Sequence, residues 1–179
     1  MKFAPTELHG VARMSLERFA DARGFFARLH DPEEFAAAGY PFAPLQTSLS
    51  RNEAAFTLRG LHLQAPPHDE AKLVRVVRGA AYDVVVDLRR GSPTYKRWIA
   101  ATLSADNGEA LLIPAGCAHG FLTLEDATDV LYQIDRLYVP GHARGLRYDD
   151  PAIGVAWPAA PRVIAPADLA WPGLGEHLT

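Results

Sequence analysis

Between Lys72 and Pro140 the chain never runs far without a turn. KLVRVV is closed by RG, AAYDVVVDL by RRGSP and TYKRWIAATLS by ADNGE, and then ALLIPAG, AHGFLTLED and TDVLYQIDRLYV follow. Most runs hold five to eleven residues rich in Val, Ile, Leu and Tyr, and the breaks carry Gly, Pro, Asn or Asp. Such side chains suit a pleated, half-buried surface, whereas the break residues suit turns. No helical pattern separates the runs, so βαβ units are excluded and the spacing predicts a mainly β sandwich or barrel. Within TDVLYQIDRLY, a period of two puts Val130, Tyr132, Ile134 and Arg136 on one pleat face. Leu131, Gln133, Asp135 and Leu137 take the other.

One helix is predicted ahead of this block. Asp31 can cap it, Pro32 suits its first position, Glu34 lies three residues past the cap, and Gly39 follows Phe35 and three alanines as a stop. The segment is short and belongs on the outside of the β core. From Asp150 onward, Pro and Ala dominate and two Trp-Pro pairs occur, which predicts a tail wrapping the body as loops and helical turns. A length of 179 residues fits one domain, residues 1–179. Folding at that size buries on the order of 70% of the unfolded surface, enough for a core without staples. Cys117, the one cysteine, excludes a disulfide or a cysteine-cluster metal site within the sequence. Eighteen Lys and Arg against 21 Asp and Glu give a net charge of −3, which argues against a nucleic-acid partner. The opening MKFAPTELHG has no apolar run of the signal-peptide kind, and no stretch approaches the roughly 20 apolar residues of a membrane helix. A cytoplasmic protein with no membrane partner is expected.

Seven histidines are spread along the chain, and two stand in suggestive surroundings: His62 in RGLHLQAPPHDEAKLVRVVRG and His119 in IPAGCAHGF. Each follows a turn-rich stretch and precedes an extended run, so each can project from a strand into a barrel mouth, where ligand sites are common. A lone histidine in such a place is more often a hydrogen-bonded core or rim group. Two of them, with Lys72, Glu70 and Tyr132 in the same β block, favour a site. PAGCAH fits the second cupin motif, Pro-x-Gly-x-x-His, and the stretch from His62 to Gly79 resembles the first. Metal cupins put two histidines at x+2 spacing and a glutamate in that first motif. Here the second position is Gln64, which leaves His62, Glu70 and His119 as conceivable ligands of a two-histidine, one-carboxylate iron site. With the motif damaged, no metal is expected.

A more extensive resemblance runs from Asp21 to the AWP at Ala170. DARGFF, QTSLSRN, LRGLHLQAPP, KLVRVVRGAAYDVVVDLRRGSPTY, IPAGCAHGF, VLYQIDRLYVP and YDDPAIGVAWP resemble, in this order and spacing, the dTDP-4-dehydrorhamnose 3,5-epimerase family. Singly the short pieces are weak; their order over most of the chain is specific. The resemblance implies a cupin-like jelly-roll barrel, no cofactor, and a homodimer that exchanges strands, so that the N-terminal third completes the partner's site. It also implies an isomerase that inverts C3, C5 or both, beside the C4 ketone of a 6-deoxyhexose on a nucleoside diphosphate. Its product would feed a surface polysaccharide such as lipopolysaccharide, or a glycosylated metabolite.

Removing a proton next to a ketone needs a base of near-neutral pKa, a stabiliser for the enolate oxygen, and an acid on the other face of the ring. By resemblance His62 is the base and Asp168, in IAPADLAWP, its carboxylate partner. Tyr132 is the opposing acid, Lys72 lies beside the ketone oxygen and His119 contacts the sugar. Arg23 and Arg59 match phosphate-binding arginines, Tyr138 matches an aromatic that stacks on the base, and Gln46, Thr47 and Ser48 match a substrate-binding strand. Each has a plainer reading: Lys72 as a strand charge, Tyr132 as a packed aromatic, Asp168 as a helix cap before Leu169.

Three positions depart from the family pattern. Arg28 stands where a glutamate is usual, Ala143 replaces a second glutamate, and Ala167 replaces a lysine. All three are expected on the nucleotide side, clear of His62, Lys72, Tyr132 and Asp168. Thymine N3 carries a hydrogen and wants an acceptor, whereas cytosine N3 is an acceptor and suits an arginine. Arg28 therefore raises CDP as an alternative carrier, against the plainer reading that it turns to solvent. A 3,4-ketoisomerase, a metal-dependent cupin oxygenase and an inactive sugar-nucleotide binder remain the competing classes.

Overall fold

The computed structural model describes residues 1–177. The chain opens with β1 (Lys2–Pro5) and β2 (Ala12–Ser15), followed by a two-stranded hairpin of β3 (Phe19–Asp21) and β4 (Gly24–Phe26). Then come α1 (Pro32–Ala37), β5 (Gln46–Asn52), β6 (Thr57–Gln64), β7 (Lys72–Arg78) and β8 (Ala80–Asp87). The second half of the β block is β9 (Trp98–Ser104), β10 (Ala110–Ile113), β11 (Cys117–Thr123), β12 (Thr128–Ile134) and β13 (Ala143–Gly145). The tail carries β14 (Val163–Ile164), α2 (Pro166–Leu169) and α3 (Leu174–His177). No helix among the described residues is long and apolar enough to cross a membrane.

Two six-stranded sheets form a jelly roll. The first runs β1-β2-β10-β7-β12-β5, and the second runs β13-β6-β11-β8-β9 with β14 added to β6. Their inner faces share a core that includes Val74 and Val76 of β7, Val85 of β8, Leu103 of β9, Leu111 of β10 and Phe121 of β11. Each outer face has its own cover. Phe35 of α1 and Phe42 seal Met14, Leu73 and Leu112 on the first sheet. On the second, the tail packs Ile153, Val155 and Trp157 against Leu61, Val84 and Val86. With both faces covered, β8 is almost wholly buried, and Asp83 and Asp87 are the charged residues it carries into the interior.

α1 forms as the sequence predicts. Asp31 Oδ1 accepts from the N–H groups of Glu33 and Glu34, Pro32 occupies the first turn, and Gly39 (φ +84°) adopts the left-handed conformation that ends the segment. The tail wraps as expected, with one addition. β14 pairs in parallel with β6, Val163 opposite Thr57 and Ile164 opposite Leu58. That short pairing brings α2 to the edge of the second sheet.

Candidate active site

A cavity of about 490 Å³ opens between the two sheets, within the range of small-molecule sites. His62 and His119 enter it from neighbouring strands of the second sheet, and β6 and β11 set them directly opposite each other in register. Gly60 and Gly120 make this possible. A Cβ on Gly60, whose φ is +127°, would lie 2.5 Å from the Gly120 Cα, so neither strand could approach as it does with a larger residue. Lys72 and Tyr132 enter from the first sheet. Tyr132 pairs with Val74, two residues along β7 from Lys72, so the two side chains share the inward face.

Each histidine has a carboxylate partner. His62 Nε2 lies 2.6 Å from Asp168 Oδ1, and the second Asp168 oxygen accepts from the Gly60 N–H at 3.3 Å. Asp168 comes from α2, 106 positions along the chain, and is buried. Pro166 suits the first turn of α2, and Asp168 is its acidic first-turn residue without capping it. Burial lowers the His62 pKa from its ordinary value; Asp168 opposes this by favouring the imidazolium. His119 Nε2 lies 2.8 Å from Asp83 Oδ2, and Asp83 is fully buried in β8.

Lys72 is almost enclosed. Its Nζ donates to the His62 carbonyl at 3.1 Å and lies 3.3 Å from Glu70 Oε1. Burial pulls its pKa down, against the pull of Glu70. Glu70, one of the conceivable metal ligands, also accepts from Gln64 Nε2 at 2.6 Å. Among the described residues no group of three His, Cys, Asp or Glu is arranged to hold a metal ion.

Arg59 and Tyr138 complete the cavity as the sequence predicts. Asn52 Oδ1 accepts from Arg59 Nε at 2.8 Å and aims the guanidinium, while Tyr138, 53% exposed, stands at the mouth. Gln46, Thr47 and Ser48 lie on the edge strand β5 and do not line the cavity; Ser50, on the same strand, does. Gln46 nonetheless acts on the rim, since its Oε1 accepts the Tyr138 N–H at 3.0 Å. Thr47 sits opposite Gln133, and Ser48 opposite Tyr132.

Two predicted residues lie elsewhere on the chain. Arg23 is at the tip of the β3–β4 hairpin, 89% exposed and paired with Asp21. Arg28 Nη1 is 2.9 Å from Asp31 and 3.7 Å from Glu34 in a separate small hollow. Its Nη1 is held by acids at α1, and the side chain does not line this cavity. The departures at Ala143 and Ala167 do line the cavity, as methyl groups beside Gln64 and Asp168. They therefore face the same cavity as His62, Lys72, Tyr132 and Asp168 instead of lying clear of them.

Four contributors went unread in the sequence: Asp83, Ser50, Asn52 and Trp171. Asp83 had a signal, a carboxylate inside an apolar run, which burial alone would not tolerate without a partner. Trp171 packs edge-on to His62, ring centroids 6.0 Å apart. It occupies the space over Gly145 that a Cβ would fill. Cys117 is inert by comparison, its thiol pushed up to about 12 by burial.

The family model described as dTDP-4-dehydrorhamnose 3,5-epimerase matches residues 5–176. A dTDP-4-dehydrorhamnose 3,5-epimerase from Sinorhizobium fredii is 40% identical over 177 residues, covering 98% of this chain and 91% of that protein. A dTDP-4-dehydrorhamnose 3-epimerase from Streptomyces niveus is 35% identical over 94% of this chain and 81% of its own length. Among solved structures, the Bacillus anthracis dTDP-4-dehydrorhamnose 3,5-epimerase with TDP and PPi bound superposes with a TM-score of 0.94. It is 37% identical, with 97% of this chain and 99% of that one covered.

Proposed function

The chain belongs to the dTDP-4-dehydrorhamnose 3,5-epimerase family, and from that premise we propose an isomerase that epimerises a dTDP-linked 4-keto-6-deoxyhexose at C3, C5 or both, as in dTDP-rhamnose supply. The observation that carries this reading is the opposition of base and acid. His62 comes from one sheet and Tyr132 from the other, with the cavity between them.

His62, kept neutral near pH 7 by the burial that lowers its pKa, takes the proton from the carbon next to the ketone and becomes imidazolium. Asp168 stabilises that charge and holds the ring. The C–H electron pair moves into the carbon framework, the ketone becomes an enolate, and the Lys72 ammonium faces its oxygen. Tyr132 then gives its phenolic proton to the opposite face of the carbon, which inverts the centre. Exchange with solvent returns the imidazolium and the phenolate to their starting states. His119, oriented by Asp83, contacts the sugar, Arg59 the diphosphate and Tyr138 the base.

A homodimer accounts for the residues left outside the cavity. Phe19, Phe25 and Phe26 are each more than half exposed on the β3–β4 hairpin that carries Arg23. We assign that hairpin, with Gln46, Thr47 and Ser48 on the open β5 edge, to a neighbouring copy's substrate. Residues 1–179 act as one domain, working in the cytoplasm. The reading is tested by turnover of dTDP- and CDP-linked 4-keto-6-deoxyglucose side by side. The dTDP sugar should be epimerised preferentially. A preference for the CDP sugar would overturn the carrier, and turnover of neither would overturn the reaction.

A further inference from the structure

Behind Lys72 stands a buried carboxylate whose every oxygen is engaged. The Glu70 side chain is 4% exposed, with Oε1 3.3 Å from Lys72 Nζ and Oε2 accepting from Gln64 Nε2 at 2.6 Å. Gln64 is buried as well, and its Oε1 accepts the Val139 N–H at 3.1 Å. A continuous path of polar contacts thus runs from Lys72 through Glu70 and Gln64 to Val139, next in sequence to Tyr138. The Tyr138 N–H is fixed in turn by Gln46.

We propose that Glu70 is a positioning residue that fixes the Lys72 ammonium in place, and that Gln64 passes the same constraint to the segment carrying Tyr138. The two ends of the cavity are then set by one relay. The inference rests on the reading of Lys72 as the partner of the ketone oxygen. It deepens that reading by naming what holds the charge there.

The physical need is specific. Lysine carries a point charge on a flexible four-carbon stem, so its direction has to be imposed by acceptors. Here there are two, the His62 carbonyl and Glu70, and they approach from different segments. In an enclosed site an ammonium also tends to shed its proton unless an anion stands beside it. Glu70 is the nearest such anion. The other titratable groups facing Lys72 are Asp83 from β8, Cys117 and His119 from β11, His62 from β6 with Asp168 from α2 behind it, and Tyr132 from β12. On its β10 side Lys72 meets Ile113, which offers no charge. Replacing Glu70 by Gln keeps the shape and removes the charge, so Lys72 should deprotonate at a lower pH than in the parent.

The test is a titration of Lys72 by ¹⁵Nζ NMR in the parent, Glu70→Gln and Gln64→Leu, set beside the pH dependence of kcat/KM. In Glu70→Gln the Lys72 midpoint and the alkaline limb of activity should both move down, by about one pH unit or more. In Gln64→Leu the Lys72 midpoint should move less than in Glu70→Gln, while KM for the nucleotide sugar rises because Val139 and Tyr138 lose their anchor. Glu70→Asp keeps the charge at a shorter reach and should give an intermediate midpoint. It serves in place of the amide variant if that one does not fold. A Lys72 midpoint unchanged in every Glu70 variant would overturn the positioning role, and an unchanged KM in Gln64→Leu would overturn its extension to Tyr138. If the midpoint moves but the alkaline limb does not, the relay stands and the assignment of Lys72 to the ketone oxygen fails.

Discussion

A base that must take a carbon-bound proton has to be neutral before it acts and tolerate charge afterwards. His62 meets both demands through opposed influences: burial lowers its pKa, and Asp168 partly restores it. Because the folded-state value lies below the ordinary 6.5, the neutral form persists to lower pH, and the acidic limb of kcat/KM should fall below 6.5. Asp168→Asn removes the anion that favours imidazolium. Its limb should lie lower still, and its rate should drop about 100-fold or more, since general-base help is typically worth 10²–10⁴-fold. A limb at or above 6.5 in the parent, or one moving upward in Asp168→Asn, would count against this pairing. At this scale much was legible. His62 and His119 stood out by their strand and turn surroundings, but the roles of His62, Lys72 and Tyr132 came from the family resemblance of the stretches that carry them, since each alone also fits a plain structural reading. Arg28 looks free when its guanidinium is read in isolation, whereas Asp31 and Glu34, three and six residues on, lie 2.9 and 3.7 Å from its Nη1.

Among the elements, the tail decides whether the base has its partner. Asp168 reaches His62 because β14 adds to β6, because the Arg147 guanidinium donates to the Leu169 carbonyl at 3.0 Å, and because Trp171 packs over Gly145. Gly145→Ala would force the indole away, at a cost of about 1–3 kcal/mol for overpacking a filled site. Thermal unfolding should therefore come earlier in this variant. Its kcat should fall with KM nearly unchanged, since Arg59 and Tyr138, the residues proposed for the phosphates and the base, lie on other segments. A kcat equal to the parent's would show that the tail does not set Asp168. The sequence announced α1 clearly, because a cap, a proline and a stop act within one segment. It could not announce β14: two residues carry no periodicity, and their strand character comes only from β6 beside them.

On the scale of the whole molecule, the chain has a net charge of −3, and its cavity sets the cations Lys72 and Arg59 beside the carboxylates Glu70 and Asp168. The alternation of short runs and turns made a β sandwich or barrel legible. The strand order β1-β2-β10-β7-β12-β5 was not, because pairing between distant segments leaves no mark within either one. The proposed homodimer yields a direct prediction. His62→Ala and Arg23→Ala homodimers should each be impaired, but mixing them under subunit exchange should restore activity above the sum of the two. A hybrid then holds one site with His62 from one protomer and Arg23 from the other. Strictly additive activity would place Arg23 outside the partner's site.

The opposition of His62 and Tyr132 across the cavity is best tested by solvent deuterium incorporation at C3 and C5 of dTDP-4-keto-6-deoxyglucose, followed by NMR. The parent should carry deuterium at C3, C5 or both in an inverted product. Tyr132→Phe should return deuterium to the unchanged configuration, since the base can still remove and replace a proton on its own face. His62→Ala should exchange at neither carbon. A parent that exchanges at neither position, or a His62→Ala variant that exchanges as the parent does, would contradict the account.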